Sequence, residues 1–250
     1  MLTLLHTSPV HVPVFEALRD EDAPGLGLRH VVRPDLLDRA RAEGPEAVGA
    51  AVRDVLATAA ADGATAVLCT CSSIGAVAEA AGAGLGLPVL RVDRPMAAAA
   101  VAAGPRVIVL ATVESTLRPT ADLVAEEAAR AGRQITVTTR LVPGAWDLFQ
   151  AGDAEGHLTA VAAAVRDAQR AVFPDGGHDG GRASAIILAQ ASMAPAAERV
   201  ERETESGGAY GVVLSSPRLG LRAAVRRLQD EPLSADAGRR PARTSAAGQA

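Results

Sequence analysis

The chain has 250 residues, 48% of them hydrophobic, and a net charge of −4, enough to bury a substantial core in one large unit or two small ones. Nothing in it makes a basic field for nucleic acid, and no arginine-rich stripe interleaves with its 2% of aromatic residues. Lysine is absent throughout, which excludes a pyridoxal phosphate Schiff base and a P-loop at once.

Short β-rich runs alternate with alanine-rich helical stretches, the signature of an α/β protein with parallel strands. The opening run Leu2–His6 reads as a strand, not a signal peptide, because no charged leader precedes it. It ends in His6-Thr7-Ser8, ahead of a helix near Val12–Leu18. A strand at Leu28–Val32, a helix over Pro45–Ala61, a strand at Thr65–Thr70 and a helix at Gly75–Ala83 follow. The strand Val89–Val92 and the helix Pro95–Ala102 lead into Gly104-Pro105, which punctuates the next strand, Arg106–Ala111. Then come the helix Thr116–Ala131, the strand Ile135–Thr139, the helix Ala154–Val172, the strand Ala185–Ala189 and the helix Pro195–Glu205. A strand at Gly211–Leu214 and a helix at Arg218–Gln229 complete the series.

Pro174 to Gly181 reads as a flexible loop whose His178 and Asp179 are solvated. The stretch from Glu231 to Ala250 has no periodicity and is expected to be disordered. The longest apolar stretch, Met96 to Gly104, is mostly alanine and too short to span a membrane. The two cysteines, Cys69 and Cys71, stand too close together for an unstrained disulfide, which points to a reducing, cytoplasmic setting.

A strand–polar turn–helix unit recurs near residues 2–18, 65–83, 106–131 and 185–205, as two similar α/β lobes facing each other would require. Two of these units match closely: Ala66-Val-Leu-Cys-Thr-Cys71-Ser-Ser73 and Ala185-Ile-Ile-Leu-Ala-Gln190-Ala-Ser192. In a parallel sheet the carboxyl ends of the strands are where ligands bind. The first copy carries a thiol there and the second an amide.

Further polar clusters follow other strands, at His6-Thr7-Ser8, Thr112 to Thr116 and Ser215-Ser216. Hydroxyls beside helix N-termini, with free backbone N–H groups, suit a carboxylate. The same residues also serve as ordinary helix N-caps, and the sequence leaves both readings open. Cys71 at a strand-to-helix junction lies in the positive field of a helix N-terminus, which favours thiolate and so reactivity. Cys69, inside the apolar run, reads as a buried and inert cysteine. Two cysteines at i, i+2 without a nearby His or Asp do not make a tetrahedral metal site. No Gly-x-Ser-x-Gly elbow occurs, and Gly82-Ala-Gly-Leu-Gly86 follows a helix instead of preceding one, so it is a loop.

These motifs resemble the aspartate/glutamate/hydantoin racemase superfamily, which includes maleate isomerase and arylmalonate decarboxylase. Thr65-Ala-Val-Leu-Cys-Thr-Cys71-Ser-Ser73 resembles its first cysteine motif, an apolar strand followed by Cys and two small polar residues. Ile186-Ile-Leu-Ala-Gln190-Ala-Ser-Met193 resembles the second, where hydantoin racemases show Cys-Ala-Gly-Met. The resemblance covers residues 1–230. It implies two pseudo-symmetric lobes with mainly parallel sheets, here 1–98 with 209–230 and 99–208, and an active site in the cleft between them. It also implies a cofactor-independent enzyme acting on a small carboxylate, with homodimers as the usual assembly.

Carried over residue by residue, Cys71 is the first catalytic cysteine, and Thr7, Ser8, Ser72, Ser73, Thr112 and Thr116 are carboxylate and polar contacts. Gln190 takes the place of the second cysteine, with Ser192 nearby. An amide is neither acid nor base near neutral pH, so chemistry centres on Cys71, as a one-sided proton donor/acceptor or as a nucleophile towards an activated double bond. In either role Gln190 is expected to orient the substrate by donating and accepting hydrogen bonds. The alternative is a carboxylate-binding protein on a racemase scaffold that has lost its catalysis. Glu114 is a further candidate for recognising an amino group, or an ordinary glutamate at a helix start.

Overall fold

A computed structural model describes residues 1–171, 182–204 and 211–230. The expected loop at Pro174–Gly181, with His178 and Asp179, and the stretch 231–250 lie outside the described residues. Two four-stranded parallel sheets form the frame. The first holds β1 (Leu2–His6), β2 (Leu28–Val32), β3 (Ala66–Cys69) and β4 (Val89–Arg91), in the order β2-β1-β3-β4. The second holds β5 (Arg106–Ala111), β6 (Thr136–Leu141), β7 (Ala185–Leu188) and β8 (Val212–Ser215), in the order β6-β5-β7-β8. The two orders are the same, so the halves repeat each other strand for strand.

Each sheet is covered on both faces, which is why its inner strands are continuous apolar runs without polar alternation. In the first sheet Leu5, Val67 and Cys69 face α2 (Pro34–Glu43), α3 (Gly49–Ala61) and α4 (Gly75–Leu85). Leu2, Leu4, Ala66 and Leu68 face the other way, towards Phe15 of α1 (Val12–Asp22) and Leu221 and Ala224 of α10 (Ser216–Asp230). In the second sheet Ile108, Leu110, Ile186 and Leu188 pack on α8 (Ala154–Arg170) and α9 (Ala194–Thr204). Val107, Val109 and Ile187 pack on α5 (Arg94–Ala103) and α6 (Glu114–Arg130). Each fully buried Leu, Ile or Val contributes about 1.5–3 kcal/mol, so these four clusters supply most of the driving force.

The last helix of each half crosses to the other. The helix after β4, α5, lies on the second sheet, and the helix after β8, α10, lies on the first. There Arg218 and Arg222 pair with Asp22 on α1. The expected grouping of 209–230 with the first lobe therefore divides, because Val212–Ser215 pairs in the second sheet while Ser216–Asp230 packs against the first. Two helices were not expected from the sequence, α2 and the six-residue α7 (Ala145–Gln150).

Candidate active site

The pairing register makes the two halves directly comparable. On β1 and β3, Leu2 faces Ala66 and Leu5 faces Cys69. On β5 and β7, Val107 faces Ala185 and Leu110 faces Leu188. Leu5 thus corresponds to Leu110 and Cys69 to Leu188, and continuing each strand places Cys71 opposite number to Gln190 and Thr7 to Thr112.

The two strand ends meet in one cavity. The first half contributes Thr7, Ser8, His11, Arg41, Thr70, Cys71, Ser72 and Ser73 to its wall. The second contributes Thr116, Trp146, Phe149, Gln190, Ala191 and Ser192. Its volume is about 60 Å³, well below the roughly 300–1,000 Å³ of small-molecule sites. A second cavity, of about 480 Å³ between α1, α9 and α10, shares His11, Phe149, Ala191 and Ser192 with the first but carries no thiol.

The hydroxyls of these clusters do not cap helices. Ser8 makes no capping bond, and the N-cap positions of α4 and α6 are Ile74 and Val113. Asp153, which accepts from the Gly156 N–H at 2.9 Å, shows what a working cap looks like in this chain. Among the described residues the side chains of Thr7, Ser8, Ser73, Thr116 and Ser192 make no hydrogen bond to protein, which leaves their donors for a ligand. Ser72 Oγ instead donates to the Ala189 carbonyl at 3.0 Å and ties the two strand ends together. Ser216 is buried, Ser215 lines the larger cavity, and Glu114 is exposed at the start of α6, so none of the three joins the site.

Gln190 is held in one orientation. Its Oε1 accepts from the Thr112 backbone N–H at 2.6 Å and from the Thr112 hydroxyl at 3.0 Å. A backbone N–H only donates, which fixes the oxygen there and turns the amide NH2 away from Thr112. With both lone pairs of its oxygen engaged, Gln190 offers the cleft donors only. That corrects the expectation that it both donates and accepts. Thr112 spends both of its donors on Gln190 and does not line the cavity.

The two cysteines have separate fates. Cys69 is fully buried, and burial, followed by the neighbouring Cys71, pushes its thiol pKa up, so it stays protonated. Cys71 is partly exposed and lines the cavity.

A chain of polar groups that sequence reading did not find starts at Thr70, the residue before Cys71. His6 Nδ1 lies 2.9 Å from Thr70 Oγ1, and His6 Nε2 lies 2.8 Å from His30 Nδ1. His30 Nε2 in turn lies 2.8 Å from Glu16 Oε1, at the surface. Burial above all, then His30 and His11, lowers the His6 pKa to about 3, so the ring is neutral at physiological pH. Burial likewise lowers His11 to about 4.

The other residues that sequence reading missed are Arg41 and Trp146. Arg41 comes from α2, one turn beyond Leu37, and its guanidinium stacks over the Trp146 ring at 4.7 Å from the centroid. Gly144 (φ 71), in the left-handed region open to glycine, turns the chain into α7 and aims Trp146 at the cleft. Phe149 tilts against Trp146 at 5.3 Å, and His157 against Phe149 at 5.3 Å. His157 Nδ1 lies 2.9 Å from the Ala145 carbonyl oxygen and Nε2 lies 3.3 Å from that of Ser192, and since a carbonyl only accepts, the ring donates, which anchors the aromatic stack to the end of β7.

Comparison with known proteins agrees with the fold. The profile of the Asp/Glu/Hydantoin racemase family matches residues 13–224. Glutamate racemase isoform RacE1 from Bacillus anthracis is similar in structure with a TM-score of 0.69 at 16% identity, over 92% of this chain and 81% of that one. Allantoin racemase from Klebsiella pneumoniae gives 0.59 at 14%, over 91% and 87%. A mutant of arylmalonate decarboxylase in a sulfate-associated form gives 0.56 at 20%, over 92% and 94%. At these identities the likeness is one of fold. A search by sequence among curated proteins finds no match.

Proposed function

The chain belongs to the Asp/Glu/Hydantoin racemase family, and on that premise we propose that it is a cofactor-independent enzyme of racemase or isomerase type acting on a small carboxylate. The observation that carries this reading is Cys71, the thiol on the cavity wall, set among unspent hydroxyls and matched across the pseudo-twofold by Gln190. The hydroxyls of Thr7, Ser8 and Ser73 hold the substrate carboxylate. Cys71 removes or delivers a proton at the adjacent carbon, or adds to an activated double bond there. Gln190, with its oxygen engaged by Thr112, donates N–H groups to the enolate-like oxygen that develops during reaction. Because an amide does not titrate, proton transfer is confined to the Cys71 wall, and two-base racemisation is not the favoured chemistry.

The test is proton NMR in deuterated buffer with a panel of small carboxylates, dicarboxylates and α-amino acids. Wild type is expected to turn over or exchange the α-proton of at least one, and Cys71→Ala to lose this while its circular dichroism and melting temperature stay unchanged. Full activity in that variant would falsify the assignment. Carboxylate binding without turnover by wild type would instead identify a binding protein on the same scaffold.

A further inference from the structure

Among the described residues that line the small cavity, only Cys71 and His11 are of types that exchange a proton near neutral pH. The others are hydroxyls, an amide, an indole, a permanently charged guanidinium and apolar groups. His11 closes a short turn, Pro9–His11, that follows Thr7 and Ser8 out of β1, so it stands on the same wall as Cys71. It also lines the larger cavity, beside Phe149, Ala191 and Ser192, and so marks the place where the two spaces adjoin. His6, His30 and His157 have both ring nitrogens engaged. The His11 ring makes no hydrogen bond among the described residues. An imidazole left unspent on the wall of a cleft is free to work on what the cleft binds.

Burial lowers the His11 pKa to about 4, so in the empty cleft the ring is neutral, with one N–H and one lone pair. The charged and titratable groups around it are His6 behind it, Cys71 and Arg41 on the small cavity, and Glu198, Glu201 and Arg218 on the larger one. A carboxylate held by the neighbouring hydroxyls brings a negative charge that favours the protonated ring.

We propose that His11 is the second proton-transfer group of the cleft and shares one mobile proton with Cys71. This rests on the carboxylate-substrate reading above and fixes the stereochemistry of its reaction. With substrate bound, the thiol proton passes to His11, directly or through cavity water, and leaves a thiolate and an imidazolium. The thiolate takes the proton from the carbon beside the carboxylate, and the C–H electron pair enters the enolate. The imidazolium returns a proton to that carbon, or to the γ-carbon of a β,γ-unsaturated acid, whose double bond thereby moves into conjugation. Thiol and neutral imidazole are restored, and no proton is gained or lost by the enzyme. Both groups belong to the first half of the molecule, so the proton leaves and arrives on one face of the substrate. The outcome is exchange with retention or a shift of the double bond, not inversion.

Iodoacetate tests this, because it is a carboxylate whose carbon is attacked by a thiolate with loss of iodide; iodoacetamide is its neutral counterpart. Cys69 is fully buried, so alkylation reads Cys71, and Cys71→Ser supplies the blank. Glutamine at position 11 leaves the resting charge unchanged, and the melting temperature of His11→Gln checks its fold. Relative to free cysteine, wild type is expected to prefer iodoacetate, and its rate with that reagent should persist to lower pH than in His11→Gln. At pH 6 the difference should be about tenfold, since the thiolate is the reacting form. In the deuterium exchange test above, label should enter with retention of configuration. Identical pH profiles in wild type and His11→Gln, or racemisation of an exchanged acid, overturn the role of His11 while the carboxylate pocket stands. No preference for iodoacetate in either protein overturns both.

Discussion

The ends of β3 and β7 occupy equivalent places in two repeated halves, yet they are built from opposite materials. Next to Cys71 in the chain stands Thr70, bonded to His6 of β1 in a series that extends through His30 to Glu16. At the equivalent positions around Gln190 stand Ala111 and Ala189. The threonines that follow the inner strands differ too. Thr112 is consumed in fixing Gln190, whereas its counterpart Thr7 keeps its hydroxyl for the cavity. The scaffold is duplicated and the side chains at its strand ends are not. One wall carries a thiol, and the other an amide that does not titrate.

That contrast can be broken by comparing matched changes on the two walls. The largest effect is expected at the ends themselves. Cys71→Ala should lower turnover by at least about a thousandfold, within the range of a lost acid–base group, and Gln190→Ala by only about tenfold. Equal losses would mean that the amide wall takes part in the chemistry as fully as the thiol wall.

A smaller effect is expected in stability against pH. The His6 pKa falls from 6.5 to about 3 on folding, so the unfolded chain takes up its proton first. Stability is therefore complete above pH 6.5 and declines as pH falls towards 3, by up to about 1.4 kcal/mol per unit for this residue. His11 declines in the same sense, between 6.5 and about 4. Urea unfolding at pH 7 and pH 5 should show a loss that is about 2 kcal/mol smaller in His6→Gln. An unchanged loss in the variant would mean that the imidazole chain does not carry the acid sensitivity of this half.

The smallest effect separates the two threonines. Thr112→Val removes one hydroxyl bond to Gln190 and should cost about 1 kcal/mol, read as a lower melting temperature. Thr7→Val should leave the melting temperature unchanged and weaken carboxylate binding instead. The reverse pattern would exchange the roles assigned to them.

All eight strands were legible in the sequence, because apolar runs bounded by Gly and Pro have few other readings. So were Cys71, Gln190 and the hydroxyl clusters, since the ends of parallel strands are predictable once the strands are placed. The pieces that were not legible sit on the two helices that were missed. α2 shows only Leu36, Leu37 and Ala40 as an apolar stripe among charges, and α7 is too short for any periodicity to register. Those two helices carry Arg41 and Trp146. The His6–His30 contact joins neighbouring strands 24 residues apart, which no local pattern encodes. Nor does the sequence tell a capping hydroxyl from a free one. That distinction depends on where the first helical N–H points.

The crossing of α5 and α10 ties the two halves together. Leu2, Leu4 and Phe15 are covered by Leu221 and Ala224, which lie far along the chain. Until α10 docks, the first sheet keeps one apolar face uncovered. Neither half can finish alone, since each waits for a helix that is wired through the other. Closure over so long a separation is slow, and the exposed face is sticky in the meantime. A failure of α10 to dock would leave the apolar face of β1 and β3 exposed and the molecule vulnerable to aggregation.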